Sequence, residues 1–125
     1  MKANEVIVRE VCKKYKGARQ AIQIAERGLE AIQKKIQMAE TDHERRTYEF
    51  ALERKKDEVK TLNEIIMTFS TCIDVLPAEE RNVIEQLYVK GKKWEDLCDQ
   101  AGCKYSKTTI MAIRQRALRR MAKFI

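Results

Sequence analysis

The C-terminal segment of the chain holds the side chains whose types and spacing best suit phosphate binding. Between Lys104 and Ile125 there are seven basic residues and no acidic residue. Residues 76–125 contain 11 basic and 6 acidic residues, a net charge of +5, whereas residues 1–75 contain 15 and 13. Clustered lysine and arginine side chains attract and neutralise the phosphates of nucleic acids. A solvated helix face is the alternative, but a charge run of one sign favours a phosphate-binding surface.

Patterns typical of catalytic and metal sites are missing from the sequence. It has no glycine-rich phosphate loop, no paired carboxylates in an apolar setting and no nucleophile beside a histidine. Cys98 and Cys103 form a poor ligand set because the only histidine, His43, lies far away in the sequence. These cysteines, with Cys12 and Cys72, occupy apolar or turn positions, where packed and reduced thiols are expected. The sequence therefore predicts no enzymatic activity, no metal site and no cofactor.

Two helices separated by a glycine are predicted in the basic segment. The first has one apolar face, formed by Trp94, Leu97, Cys98 and Ala101. Gly102 suits the residue that ends such a helix, and Ser106 is a natural N-cap for the next. The second helix has an apolar face formed by Ile110, Ile113, Ala117 and Met121. This pattern indicates a helix-turn-helix whose second helix fits a DNA major groove.

Three segments of this region, in order and in register, resemble the region four DNA-binding domain of bacterial sigma factors. They are Leu76-Pro77-Ala-Glu79-Glu80-Arg81-Asn-Val83-Ile84, then Trp94-Glu95-Asp-Leu97, then Thr109-Ile110 with Arg116-Ala117-Leu118. The resemblance implies that a helix beginning near Pro77 braces the helix-turn-helix. The family usually places its serine or threonine two residues after the turn glycine, whereas Ser106 lies four after Gly102. We therefore expect a longer turn.

A helical N-terminal segment joined to a lone region four-like domain resembles the small phage regulators of the ArpU and RinA type. This resemblance implies a sequence-specific transcriptional regulator that activates phage or prophage late genes. Two other classes of protein stay open. A small terminase subunit also joins a helix-turn-helix to oligomerising helices, and a coiled-coil module that contacts RNA polymerase needs no DNA binding.

Two sets of residues are candidates for contact with double-stranded DNA. Base-reading candidates are Lys107, Thr108, Met111, Ala112 and Gln115. Phosphate contacts are predicted for Lys92, Lys93, Lys104, Ser106, Thr109, Arg114, Arg119 and Arg120. Arg116 matches the basic residue that the family places before Ala-Leu, and pairing with an acid such as Glu85 is its alternative role. Trp94 is expected to anchor the core rather than to stack on a base.

Two long helices with apolar seams are predicted in residues 1–75. The first seam is Val8, Val11, Tyr15, Ala18, Ile22, Ala25, Leu29, Ile32, Ile36 and Ala39. The second is Tyr48, Leu52, Lys55, Val59, Leu62, Ile66, Phe69, Ile73 and Leu76, in which only Lys55 is charged. Spacings of three and four give both seams a heptad pattern, although Gly17 and Gly28 interrupt the first helix. Thr41 and Glu44 have capping-box spacing, which predicts a tight turn and a long antiparallel hairpin.

A weaker stripe on the first helix, formed by Ala21, Ile24, Ala31 and Met38, predicts that another surface covers it. A homo-oligomer, most simply a dimer through the hairpin, is favoured over contact with RNA polymerase or another protein.

The fold class predicted for the chain is all-α, because one proline and four glycines leave few turn residues for a sheet. The hairpin is assigned to residues 1–75 and the DNA-binding domain to residues 76–125. A third helix is predicted from Pro77 to Gly91, with Val83, Ile84, Leu87 and Tyr88 on its buried face. No apolar run is long enough to span a membrane and no secretion signal is recognisable, so a cytoplasmic location is expected.

Overall fold

A computed structural model of the chain describes residues 3–98 and 106–125. Helices hold 87% of these residues and no strand occurs among them, which confirms the all-α class. The α-helices are α1 (Ala3–Met38), α2 (Asp42–Ile73), α3 (Ala78–Ile84), α4 (Trp94–Cys98) and α5 (Lys107–Ala122). A π-helical segment, Glu85–Val89, continues α3 without a break.

The chain divides into two compact units, each of which contains parts of both α1 and α2. Unit 1 comprises Met1–Lys16 and Met67–Ile125, and unit 2 comprises Gly17–Ile66. The first turns of α1 and the last turns of α2 therefore belong with the C-terminal helices. The reason is packing, because Tyr15 of α1 stacks on Phe69 of α2 with ring centroids 3.9 Å apart. In the same unit the Cys72 thiol contacts the carbonyl oxygen of Met121 at 3.6 Å.

A contact within unit 2 joins two of the three irregular positions of the predicted helices, Gly28 and Lys55. A Cβ atom placed on Gly28 would lie 3.3 Å from Cε of Lys55, so the aliphatic stem of Lys55 fills the space that glycine leaves. The Lys55 ammonium group lies 2.9 Å from the Glu58 carboxylate, and its side chain is half-buried. A charged residue is thus tolerated on the seam because its stem packs while its charge is paired. Lys35 Nζ also lies 5.9 Å from the centroid of the Tyr48 ring.

Helix ends coincide with several of the predicted capping residues. The Glu44 backbone N–H donates to Thr41 Oγ1 at 3.1 Å, which caps the start of α2. Pro77 directly precedes α3. Gly91 has φ +68°, a left-handed conformation that glycine adopts at little cost, and the Lys92 N–H donates back to the Gln86 carbonyl at 2.9 Å.

The core of unit 1 forms where α3 and α4 pack on α5. Val83, Leu97, Ile110 and Ile113 form a cluster of buried side chains. A second group, including Cys12, Cys72 and Met121, is equally buried. Burial and the neighbouring Cys72 raise the pKa of the Cys12 thiol from 9.0 to about 12. Cys12 therefore stays protonated at neutral pH, in agreement with the predicted packed, reduced thiol.

The π-helical segment changes which residues after Ile84 face the core. Val83 and Ile84 are buried as predicted. Leu87 and Tyr88 were also expected to be buried, but they are half-buried, and Gln86 is buried instead. A π turn contains more residues than an α turn, so it rotates the following side chains away from the predicted α-helical face. The Gln86 side-chain carbonyl is buried without a hydrogen-bond partner among the described residues.

We expect Ile110→Ala to lower the free energy of unfolding by about 2–5 kcal/mol, because Ile110 is fully buried between α5 and its neighbours. Ile7→Ala is the matched control in the same unit. Since Ile7 is 46% exposed, Ile7→Ala should lower the free energy of unfolding by well under about 2 kcal/mol. Denaturant titrations followed by circular dichroism measure both values, and equal losses would contradict this core assignment.

Candidate nucleic-acid interface

The N-terminus of α5 is capped as predicted. Ser106 has an extended backbone, and its Oγ accepts a hydrogen bond from the Thr109 N–H at 3.2 Å. The two hydroxyl groups also lie 3.1 Å apart. One of the free N–H groups at the helix start is thereby satisfied, and both side chains remain exposed. The positive end of the helix dipole therefore lies at an accessible surface, where an anion is favoured.

Opposite faces of α5 have opposite character. Its buried face consists of Ile110, Ile113, Ala117, Leu118, Met121 and Ala122. Its exposed face, which we call the α5 outer face, consists of Thr108, Ala112, Arg116, Arg119 and Lys123. Steps of four, four, three and four residues place these five on one side of the helix. The α5 outer face therefore presents three cations together with two small side chains.

Two base-reading candidates lie nearer the core than the sequence predicted. Met111 packs against the buried cluster of Val83 and Ile113, and it is half-buried rather than exposed. Gln115 is also half-buried. Met111 is covered because its cluster includes Val83 of α3 and Leu97 of α4, which lie against α5. Of the base-reading candidates, Lys107, Thr108 and Ala112 are exposed.

Arg114 is oriented towards the protein rather than towards solvent. Its side chain is half-buried, its Nε is buried without a hydrogen-bond partner in the described part of the chain, and its guanidinium group lies near the Tyr88 phenol. Burial raises the pKa of the Tyr88 phenol, and the Arg114 charge opposes part of that rise. Arg114 thus lies between α5 and the π-helical segment, and its phosphate contact stays a prediction.

Arg120 is held in an ion pair that the sequence did not predict. Its Nε donates to both carboxylate oxygens of Glu80, each at 3.0 Å. The Glu80 side chain is only 6% exposed, whereas that of Arg120 is 52% exposed. A buried carboxylate needs such a partner, because an unpaired charge in the interior is costly. Arg120 thus joins α3 to α5, and its phosphate contact stays a prediction.

Arg116 is a candidate contact that sequence reasoning left undecided. Its proposed partner Glu85 instead accepts a hydrogen bond from Arg81 at 3.0 Å, while Arg116 is exposed at the centre of the α5 outer face. Lys123, also on this face, was not among the predicted contacts. Both residues continue the series of four- and three-residue steps that begins at Thr108 and Ala112, and this helical spacing could have identified them in the sequence.

Three further candidates, Lys92, Lys93 and Lys107, lie close to Trp94 at the start of α4. Lys107 Nζ lies 5.0 Å from the centroid of the Trp94 ring, and Trp94 packs against the buried cluster as a half-buried side chain. Lys92 and Lys93 directly precede Trp94 and are exposed. Ala101, predicted on the apolar face of the first helix, the turn residues Gly102 and Cys103, and the candidate Lys104 lie outside the described residues.

Within residues 3–98 and 106–125, no group of acidic, cysteine or histidine side chains could hold a metal ion. None of the helices described is both long and apolar enough to cross a membrane. Comparison of the chain with protein-family models, with curated proteins and with solved structures finds no match.

We expect Arg120→Gln to lower the free energy of unfolding by about 1–3 kcal/mol, because it leaves the buried Glu80 carboxylate without its ionic partner. Arg116→Gln removes the same charge from the same helix. Since Arg116 is exposed, its effect should be within about 0.5 kcal/mol. Thermal and denaturant unfolding distinguish the two, and equal effects would show that the Glu80 pair has no structural role.

Proposed function

We propose that this protein binds double-stranded DNA by placing α5 in the major groove. The observation that carries the proposal is the division of α5 into a buried apolar face and the cationic α5 outer face. An α-helix fits the width of a B-DNA major groove, and a helix that reads bases needs one side free of the protein core. With no acidic residue after Lys104, nothing in this segment opposes the phosphates.

Different parts of the surface have different roles in this proposal. Lys107 and Thr108, in the first turn of α5, are the base-reading side chains, and Ala112 is small enough for close approach to a thymine methyl group. Arg116, Arg119 and Lys123 bind phosphates along the groove. Phosphate contacts supply most of the sequence-independent affinity, and the base contacts supply the discrimination.

We further propose that the protein is a transcriptional regulator with a region four-like helix-turn-helix. The packing of α3 and α4 on α5 supports this class of domain. The sequence resemblance to small phage regulators favours activation of phage or prophage late genes. Contact with RNA polymerase through the N-terminal helices belongs to the same proposal, and a small terminase subunit is the alternative.

We expect the association constant for duplex DNA to fall steeply with salt concentration, because phosphate contacts release counterions. The double variant Arg116→Gln, Arg119→Gln should reduce the slope of log K against log salt by about 1.8, that is, about 0.9 for each lost contact. Fluorescence anisotropy with a labelled duplex measures this slope. The control is Arg27→Gln, Arg46→Gln, which removes two exposed charges from unit 2 and should leave the slope unchanged.

Failure of the wild-type protein to bind duplex DNA at low salt would contradict the proposal. It would leave the protein-interaction module as the remaining class. An equal loss of slope in both double variants would show that binding follows net charge rather than the α5 outer face. Where binding is found, selection of bound duplexes from a random pool identifies the preferred sequence.

We also propose that unit 2 is an antiparallel helical hairpin that forms a homodimer. Two contacts support antiparallel pairing of α1 and α2. Gly28 lies against Lys55, and Lys35 lies over the Tyr48 ring. The later residue of α1 thus contacts the earlier residue of α2. The stripe predicted to be covered is exposed: Ile24 is 71% exposed and Met38 is 80% exposed. Ile24, Ala31 and Met38 are spaced by seven residues, which is the repeat that pairs helices of identical chains.

We expect light scattering to give the mass of a dimer, about twice the 14.7 kDa of one chain. The variant Ile24→Glu, Met38→Glu should shift the protein towards monomer, because it places charges on the paired stripe. Its control is Gln23→Glu, Gln37→Glu, which adds the same charge at neighbouring exposed positions of α1. A monomeric wild-type protein would exclude self-association, and a ring of many subunits would favour the terminase class.

A further inference from the structure

The turn at Gly91 brings together lysine side chains that are distant in the sequence. Lys90, Lys92 and Lys93 flank Gly91 in the chain, and Lys16 reaches it from α1 within the same unit. A Cβ atom placed on Gly91 would lie 3.0 Å from Lys16 Nζ, so the ammonium group rests against the glycine backbone. All four lysines are exposed. We call this set the Gly91 lysine cluster.

The positive charge of the Gly91 lysine cluster is not balanced locally. In the described part of the chain, none of its four ammonium groups lies within ion-pair distance of a carboxylate. The Asp96 carboxylate does contact the cluster. It accepts a hydrogen bond from the Lys93 backbone N–H, and not from an ammonium group. Like charges held at one turn repel each other, and a bound anion removes that cost.

The cluster is continuous with the surface proposed to bind DNA. Lys93 precedes Trp94, and the Trp94 ring lies under Lys107 in the first turn of α5. Because consecutive Cα atoms are about 3.8 Å apart, Lys92 and Lys93 lie within one or two residues of that contact. Lys92 and Lys93 therefore link, along the chain, the Trp94 ring beneath Lys107 to the Gly91 turn that Lys16 contacts.

We infer that the Gly91 lysine cluster binds the sugar–phosphate backbone of the same duplex, beside the groove that α5 enters. The inference rests on the proposed function and adds a DNA contact from α1. The first turns of α1, assigned from the sequence to the hairpin, then supply a phosphate-binding residue, Lys16. Lys90 is a second contact that was not predicted.

A purely structural role for Lys16 makes a different prediction. An ammonium group at the end of the π-helical segment can stabilise the free carbonyl groups of a helix C-terminus. Loss of that cap would lower the melting temperature and leave the salt dependence of DNA binding unchanged. Lys90 is exposed at the same turn and belongs to a different segment from Lys16, so it tests the phosphate role with a second variant.

The experiment compares Lys16→Gln, Lys90→Gln and the control Lys14→Gln with the wild-type protein, using a labelled duplex of mixed sequence over a series of salt concentrations. Lys14 lies two residues before Lys16 in α1 and is also exposed, but it is not part of the Gly91 lysine cluster. We expect the slope of log K against log salt to decrease by about 0.9 for Lys16→Gln and for Lys90→Gln, and to be unchanged for Lys14→Gln.

The outcomes separate this inference from the proposed function. If the wild-type protein binds the duplex but both cluster variants keep its slope, the inference is overturned and the proposed function stands. A lower melting temperature of Lys16→Gln with an unchanged slope also overturns it, by showing that Lys16 acts only as a helix cap. If the wild-type protein does not bind at low salt, the proposed function itself fails.

Discussion

Burial of the apolar face of α5 determines which of its side chains reach solvent. Ile110, Ile113, Leu118 and Met121 are each at most 1% exposed. Complete burial of such a side chain contributes about 1.5–3 kcal/mol, so rotation of the helix would expose apolar surface at a cost comparable to the stability of a small domain. The direction of the α5 outer face is therefore a consequence of core packing, and no interaction on that face is needed to fix it.

The cations of α5 differ in availability because the neighbouring helices supply specific partners. Glu80 of α3 accepts hydrogen bonds from Arg120, and Arg114 is half-buried near Tyr88 of the π-helical segment. Arg116 and Arg119 have no comparable partner in the described part of the chain and remain exposed. Thus the net charge overstates how many cationic side chains of α5 are free to bind a phosphate. Arg114 and Arg120 resemble the other arginines in sequence but serve mainly to attach α5 to the fold.

The periodicity of the sequence predicted helix faces and helix starts, because these depend on local structure. It did not predict contacts between side chains of helices that are distant in the sequence. The spacing of Ile110, Ile113, Ala117 and Met121 predicted the buried face of α5, and Ser106 predicted its start. The π turn after Ile84 could not be predicted, because it depends on packing rather than on residue type, and it placed Gln86 in the core. The partner of Arg120 and the position of Lys16 beside Gly91 likewise depend on how separate helices meet.

The most direct test of the account is a nuclear magnetic resonance titration of the ¹⁵N-labelled protein with a short DNA duplex. If the α5 outer face enters the groove, the largest amide shifts occur at the start and along the exposed side of α5, including Lys107, Thr108 and Ala112. Amides in the middle of unit 2 should shift little. Largest shifts within Gly17–Ile66, or no shifts at low salt with excess duplex, would contradict the account.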